Sequence, residues 1–123
     1  MTGRVVHLVD DHSGVRTTLA RLLRASGYTV KEYAGGVELL AASRSLTDGF
    51  ILLDIDMPGP DGFAVQRALR ERSVSIPVIL MTGSGDLTVL ALKAGAADFM
   101  QKPFDRNELL TALDQLSAEV VDG

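Results

Sequence analysis

Phe50-Ile51-Leu52-Leu53-Asp54-Ile55-Asp56-Met57-Pro58-Gly59-Pro60-Asp61-Gly62 is an apolar run that closes on a carboxylate and then breaks into a turn. The apolar residues read as a buried strand, and the Pro, Gly and Asp that follow impose a sharp change of direction. An acid at the last position of such a strand lies at the carboxyl edge of its sheet, the edge where open α/β sheets bind ligands. Val5-Val6-His7-Leu8-Val9 followed by Asp10-Asp11 repeats the pattern near the N-terminus. If these two strands are neighbours, three carboxylates converge in one cleft.

Outward from these runs, strand-like and helix-like segments alternate. Ser13 to Ala25 is predicted helical, with Val15, Leu19, Leu22 and Leu23 on one face and Gly27 as its stop. Tyr28 to Tyr33 alternates as a strand, and Val37 to Leu46 reads as a helix. Phe63 to Arg72 is helical, entered through Asp61-Gly62, and Pro77 to Thr82 is a fourth strand. Leu87 to Ala94 reads as a short helix stopped by Gly95, and Ala97 to Gln101 as a fifth strand. Asp105 to Val120 is the clearest helix, with a capping box in Asp105 and Glu108 and a stripe of Leu109, Leu113, Leu116 and Val120.

Five β-α units predict a doubly wound α/β fold: a single five-stranded parallel sheet with helices on both faces. The flavodoxin-like order 2-1-3-4-5 suits them and makes strands 1 and 3 neighbours at the switch point. A chain of 123 residues fits one domain, spanning 1–123, and 46% apolar residues can build a core. The net charge of −4 and the lack of a basic run argue against direct nucleic-acid binding. The absence of cysteine excludes disulfides and thiolate metal sites. No apolar stretch reaches membrane-spanning length, and Met1-Thr2-Gly3-Arg4 lacks a signal-peptide pattern, so a cytoplasmic location is expected.

Strand 1 ends at Asp10-Asp11, strand 3 at Asp54, strand 4 at Thr82, and strand 5 runs into Lys102-Pro103. Helix capping or solvation explains any one of these polar groups, but four at one sheet edge point to a site. Two carboxylates about 4 Å apart repel by roughly 4 kcal/mol at an effective dielectric of about 20. Lys102 offsets part of that charge. A hard cation with oxygen ligands is the natural remainder, and Mg2+ is the usual one beside a phosphoryl group. A carboxylate nucleophile, Mg2+, a hydroxyl and an ammonium together are the parts for phosphoryl transfer to aspartate.

With these residues in view, the chain resembles the response-regulator receiver domains of two-component signalling, over essentially its whole length. The resemblance rests on Val9-Asp10-Asp11, Leu53-Asp54 through Gly62, Met81-Thr82-Gly83, Lys93-Ala94-Gly95-Ala96-Ala97-Asp98-Phe99 and Lys102-Pro103-Phe104. Val6 to Asp11 and Thr82-Gly83-Ser84-Gly85-Asp86 are most similar to receivers of the nitrogen-fixation regulator type. The resemblance implies that Asp54 is the phosphoacceptor. It implies that Asp11 ligates Mg2+ directly, Asp10 mainly through water, and Asp56 through its backbone carbonyl. Thr82 would bond the phosphoryl group, Lys102 would pair with Asp54 and then with the phosphate, and Phe99 would be the aromatic switch that turns inward. The Lys102-Pro103 bond is expected to be cis. The donor would be a phosphohistidine on a histidine kinase or phosphotransfer protein. Any DNA-binding output domain would lie outside this chain, which is either a single-domain regulator or a receiver cut from a longer one. Homodimerisation on phosphorylation would use the face of the fourth helix, strand 5 and the last helix. Such a domain is a switch with limited self-catalysis, not a metabolic enzyme.

The pattern departs from the family in places. Thr82 and Lys102 stand about two residues closer than the family spacing, the loss falling between Gly85 and Lys93, which predicts a short or displaced fourth helix. His12 stands where the family often has an acid; it is either a helix-start residue or a titrating neighbour of the metal site. His7 reads as a packed strand residue. Phe99 admits a plain core role as well as the switch role.

The strongest rival is a haloacid-dehalogenase-type phosphatase with Asp54 as nucleophile. Leu52-Leu53-Asp54-Ile55-Asp56 fits its Asp-x-Asp motif, Leu80-Met81-Thr82 its second, and Lys102 its third. That class needs further acidic ligands at a strand end after the lysine, whereas Asp105, Glu108 and Asp114 fall in the last predicted helix. It also has no use for Asp10-Asp11. A flavin module of the same architecture would need a Ser/Thr-rich phosphate loop after strand 1, where Asp10-Asp11 would repel phosphate. A pseudo-receiver is excluded because every site residue is present.

Overall fold

The computed structural model describes the backbone of residues 4–83 and 95–122 and the side chains of residues 4–83 and 95–116. Five parallel strands, β1 (Val5–Val9), β2 (Thr29–Tyr33), β3 (Phe50–Asp54), β4 (Val78–Thr82) and β5 (Asp98–Gln101), form one sheet in the order β2-β1-β3-β4-β5. The expected fold class and strand order are both observed. The helices are α1 (Ser13–Ala25), α2 (Gly36–Ala41), α3 (Gly62–Glu71) and the C-terminal α4 (Arg106–Asp122), with a 3-10 turn at Ser43–Ser45. The helix predicted over 87–94, and with it the expectation of a short or displaced fourth helix, lies outside the described residues. No helix among the described residues is long and apolar enough to cross a membrane.

Burial follows position in the sheet. Every residue of β3 and β4 is buried, whereas the edge strands β2 and β5 alternate or open to solvent. Parallel strands covered on both faces need apolar side chains on both, which is why Phe50-Ile51-Leu52-Leu53 is continuous rather than alternating. One core joins Leu8, Phe50, Leu52, Ile79 and Met81 to Leu23 of α1 and to Leu109, Leu113 and Leu116 of α4. The other joins Val9, Ile51, Leu53 and Leu80 to Leu39 of α2 and to Val65 and Leu69 of α3. Helices therefore cover both faces, and burial of each such leucine side chain contributes about 2 kcal/mol.

The helix predicted over 37–46 ends early, at Ala41. Ser43 and Ser45 flank Arg44 there, and small hydroxyl side chains compete with the helical ladder for backbone groups. The resulting 3-10 turn still returns Leu46 to the core. Strand β4 begins at Val78 rather than Pro77. Proline brings no N–H to a ladder, although its carbonyl accepts the Ile51 N–H at 2.9 Å. The capping box forms as expected: Glu108 N donates to Asp105 Oδ1 at 2.8 Å and Asp105 N to Glu108 Oε1 at 3.5 Å.

Candidate functional site

The site lies at the carboxyl edge of the sheet, where register decides which residues meet. Val9 of β1 pairs with Leu53 of β3, so Asp10 and Asp54, the next residue of each chain, emerge side by side. Asp54 pairs with Met81 and Thr82 with Gln101, which carries Thr82 and Lys102 to the same edge.

Asp10 and Asp54 use the same local device. The Oδ1 of Asp10 accepts the His12 N–H at 2.9 Å, and the Oδ1 of Asp54 accepts the Asp56 N–H at 3.0 Å. Each is an Asp turning back on the residue two ahead, which lets the chain leave the strand at once. Each then presents Oδ2 to Lys102, whose Nζ stands 3.2 Å from Asp10 and 3.2 Å from Asp54. Both carboxylates are essentially inaccessible, while a quarter of the Lys102 side chain is exposed. The Lys102-Pro103 peptide is cis, as expected.

The charges do not balance. Asp10, Asp11 and Asp54 present three carboxylates against the one ammonium of Lys102, a deficit of two when all are ionised. Burial raises the pKa of Asp54 above its usual value; the Asp56 N–H and Lys102 oppose the rise, and Asp10 adds to it. Burial pulls Lys102 down, but Asp54 and Asp10 outweigh it and hold the ammonium above its usual value. A single ammonium is divided between two buried acids: it is well held, and it only partly offsets the burial of Asp54. Oδ1 of Asp11 and Oδ2 of Asp54 are buried without a hydrogen bond of good geometry. Asp54 Oδ2 meets the shared Lys102 ammonium at 3.2 Å and Asp11 Oδ1 the His12 ring at 3.3 Å, and these under-compensated acceptors in an oxygen-rich donor set fit a divalent cation.

Several contacts were not legible in the sequence. Thr82 donates its hydroxyl to Asp56 Oδ2 at 3.0 Å, so the side chain of Asp56, and not only its backbone, belongs to the site. Arg16 Nη1 donates to the Asp10 carbonyl at 2.7 Å while its Nε stands 3.5 Å from Glu32. Its signal was an arginine in the first turn of the helix that follows Asp10-Asp11. His12 occupies the cap position before α1, as its helix-start reading required, but its ring makes no cap bond. Instead Nδ1 lies 3.4 Å from Asp10 Oδ1 and 3.3 Å from Asp11 Oδ1. Phe99 is partly buried against the core on the α2 and α3 side of the sheet. His7 is a packed strand residue, as expected, bonded to Tyr33 and to the Asp48 carbonyl.

A family model described as the response regulator receiver domain matches residues 6–114. The chain belongs to that family. This receiver is 37% identical over 123 residues to the transcriptional regulatory protein FixJ of Rhizobium meliloti, covering 98% of the chain and 60% of FixJ. It is 40% identical over 113 residues to the DNA-binding transcriptional regulator NtrC of Salmonella typhimurium, covering 90% of the chain and 24% of NtrC. The chain thus spans less than two thirds of each of these curated relatives. The crystal structure of FixJ-N aligns with a TM-score of 0.89 at 35% identity, over 96% of each chain. The likeness to nitrogen-fixation regulators is therefore found in both comparisons. By this match the chain is a response regulator receiver domain of two-component systems. Of the acids after Lys102 that the phosphatase reading would need at a strand end, Asp105 and Glu108 instead cap α4.

Proposed function

We propose that this receiver takes a phosphoryl group from a phosphohistidine onto Asp54 and switches state as a result. The observation that carries the reading is the pair of buried carboxylates, Asp10 and Asp54, held on one Lys102 ammonium at the ligand-binding edge of the sheet. An oxygen of Asp54 forms the new bond to phosphorus while the phosphorus–nitrogen bond of the donor breaks and the imidazole leaves with the electron pair. The Asp56 N–H fixes the carboxylate through Oδ1, and Lys102 opposes the rise in its pKa that burial brings. Asp10, Asp11, Asp54 and the Asp56 carbonyl would hold Mg2+. When bound, Mg2+ offsets the negative charge gathered around the phosphoryl oxygens.

Thr82 and Lys102 then donate to the phosphoryl oxygens, and Phe99 turns inward as Thr82 moves. Phosphorylation shifts the domain only by what it gains in one state over the other. The donor is a histidine kinase or a phosphotransfer protein in the cytoplasm. The output is transcriptional, as the names of FixJ and NtrC suggest, with dimerisation through the face that includes β5 and α4. The test is labelling by acetyl phosphate with Mg2+, read by intact mass. One phosphoryl group on the wild type and none on Asp54→Asn is the expected result. Full labelling of Asp54→Asn overturns the reading.

A further inference from the structure

The cluster at the sheet edge is not made of oxygen alone. Asp10, Asp11, His12 and Asp54 each bring a ligand atom to within 4.8 Å of the others. At metal–ligand bonds of about 2.1 Å, adjacent ligands stand about 3.0 Å apart in an octahedron and about 3.4 Å apart in a tetrahedron. The His12 Nδ1 separations of 3.4 Å from Asp10 Oδ1 and 3.3 Å from Asp11 Oδ1 are edges of that size. The ring is not engaged elsewhere by its own helix, because His12 stands before α1 without a side-chain cap bond. Its side chain is 64% exposed, so a hydrated ion reaches the nitrogen from solvent. The backbone N–H of His12 is meanwhile fixed on Asp10 Oδ1 at 2.9 Å, which ties the ring's position to the carboxylates. Beside it, buried Asp11 Oδ1 has the His12 ring at 3.3 Å and no hydrogen bond, and buried Asp54 Oδ2 shares the Lys102 ammonium at 3.2 Å with Asp10, so three carboxylates there are under-compensated without a cation.

We propose that His12 turns the acidic pocket of this receiver into a mixed imidazole–carboxylate site that prefers a borderline transition-metal dication over Mg2+. The proposal deepens the reading of the pocket as a metal site and rests on it. Mg2+ takes oxygen ligands in a near-octahedral shell and gains little from an imidazole. Dications later in the first transition series bind imidazole nitrogen strongly, and Ni2+ stands well above Mn2+ in that order. An aspartate or glutamate at position 12 would add charge without that discrimination. His12 as a ligand brings a nitrogen and no negative charge, so it raises selectivity without deepening the repulsion among Asp10, Asp11 and Asp54. The ion that loads the pocket, and hence the competence of Asp54, then depends on the ratio of transition-metal ion to Mg2+ around the protein.

The test is isothermal titration of the untagged chain with Ni2+ and separately with Mg2+, on wild type, His12→Gln and Asp11→Asn. Electron paramagnetic resonance of the Cu2+-loaded wild type and His12→Gln reads nitrogen coupling directly. We expect His12→Gln to weaken Ni2+ by about tenfold or more while changing Mg2+ by less than about twofold, with the imidazole coupling lost. Equal Ni2+ affinity in wild type and His12→Gln overturns the proposal. If Asp11→Asn still weakens both ions in that case, the pocket remains a metal site and only the role of His12 is refuted. If Asp11→Asn leaves both ions unchanged, the metal-site reading itself fails, and the proposal with it.

Discussion

The Thr82 hydroxyl donates to Asp56 Oδ2 at 3.0 Å, and the same oxygen accepts the Gly83 N–H at 3.2 Å. Asp56 thus holds both the strand-end hydroxyl and the first residue of the following loop. A phosphoryl group on Asp54 that takes the Thr82 proton must compete with that carboxylate. Asp56→Ala removes the competitor together with a negative charge near the phosphoryl position. The variant is expected to bind the phosphoryl analogue beryllofluoride with Mg2+ roughly fivefold more tightly, the equivalent of one hydrogen bond of about 1 kcal/mol. Asp56→Asn keeps an acceptor and should fall between. Fluorescence or calorimetric titration measures it, and identical affinities in all three proteins would show the contact to be idle.

Asp54 carries a built-in cost in the metal-free protein. Its folded pKa lies above the ordinary value of 3.8, first because it is buried. Folding therefore favours the protonated acid; that contribution is complete below 3.8 and is lost as the pH rises through the folded pKa. Above that folded pKa the ionised group opposes folding, and Asp54→Asn is expected to raise Tm in metal-free buffer. The gap should close as the pH falls toward 3.8. Saturating Mg2+ should reverse the ranking, because the wild type keeps a ligand the variant lacks and gains by mass action. A variant less stable than wild type at every pH would refute the strain.

His7 gives the opposite pH signature. Its ring is buried on β1, with Nδ1 2.9 Å from the Tyr33 hydroxyl and Nε2 3.3 Å from the Asp48 carbonyl. A carbonyl only accepts, so Nε2 carries the proton and Nδ1 accepts from Tyr33. Burial lowers the His7 pKa below 6.5, with the Asp48 carbonyl opposing the shift. The stability due to neutral His7 is full above 6.5 and declines as the pH falls from there toward the folded pKa. His7→Gln should therefore lose less stability than wild type between neutral pH and pH 5, measured by urea unfolding. Parallel pH curves for the two proteins would refute this.

Gly62 sets the distance between α3 and the end of β3. A Cβ there would stand 2.7 Å from the Ile55 Cα and 3.0 Å from the Asp54 carbonyl oxygen. The Gly62 N–H donates to the Ile55 carbonyl at 3.1 Å, so the turn carrying Asp56 is folded tightly onto the helix start. Both close contacts are backbone, which cannot swing aside. Gly62→Ala is expected to lose about 1–3 kcal/mol of stability by overpacking. It should also weaken Mg2+ binding, because Asp54 and Asp56 flank the displaced backbone. Wild-type values for both the urea midpoint and the Mg2+ affinity would show that the turn yields freely.

The order of strands and helices and the two-faced core were legible in the alternation along the chain, and the acids at the strand ends in Val5 to Asp11 and Phe50 to Gly62. Periodicity and turn chemistry act over a few residues, so a linear sequence records them directly. Asp105 and Glu108 were found for the same reason, since a capping box spans one helical turn. What the chain order could not specify is which side chains meet across the sheet. Lys102 lies on both Asp10 and Asp54, Thr82 on Asp56, and the His12 ring between Asp10 and Asp11. The Lys102 and Thr82 contacts depend on parallel register and the His12 contact on the angle at which α1 leaves β1. Local sequence thus determined the edge and placed there the Asp54 carboxylate proposed to react. Tertiary packing decided the partners of that carboxylate, because the strands that carry them are joined only when the sheet closes.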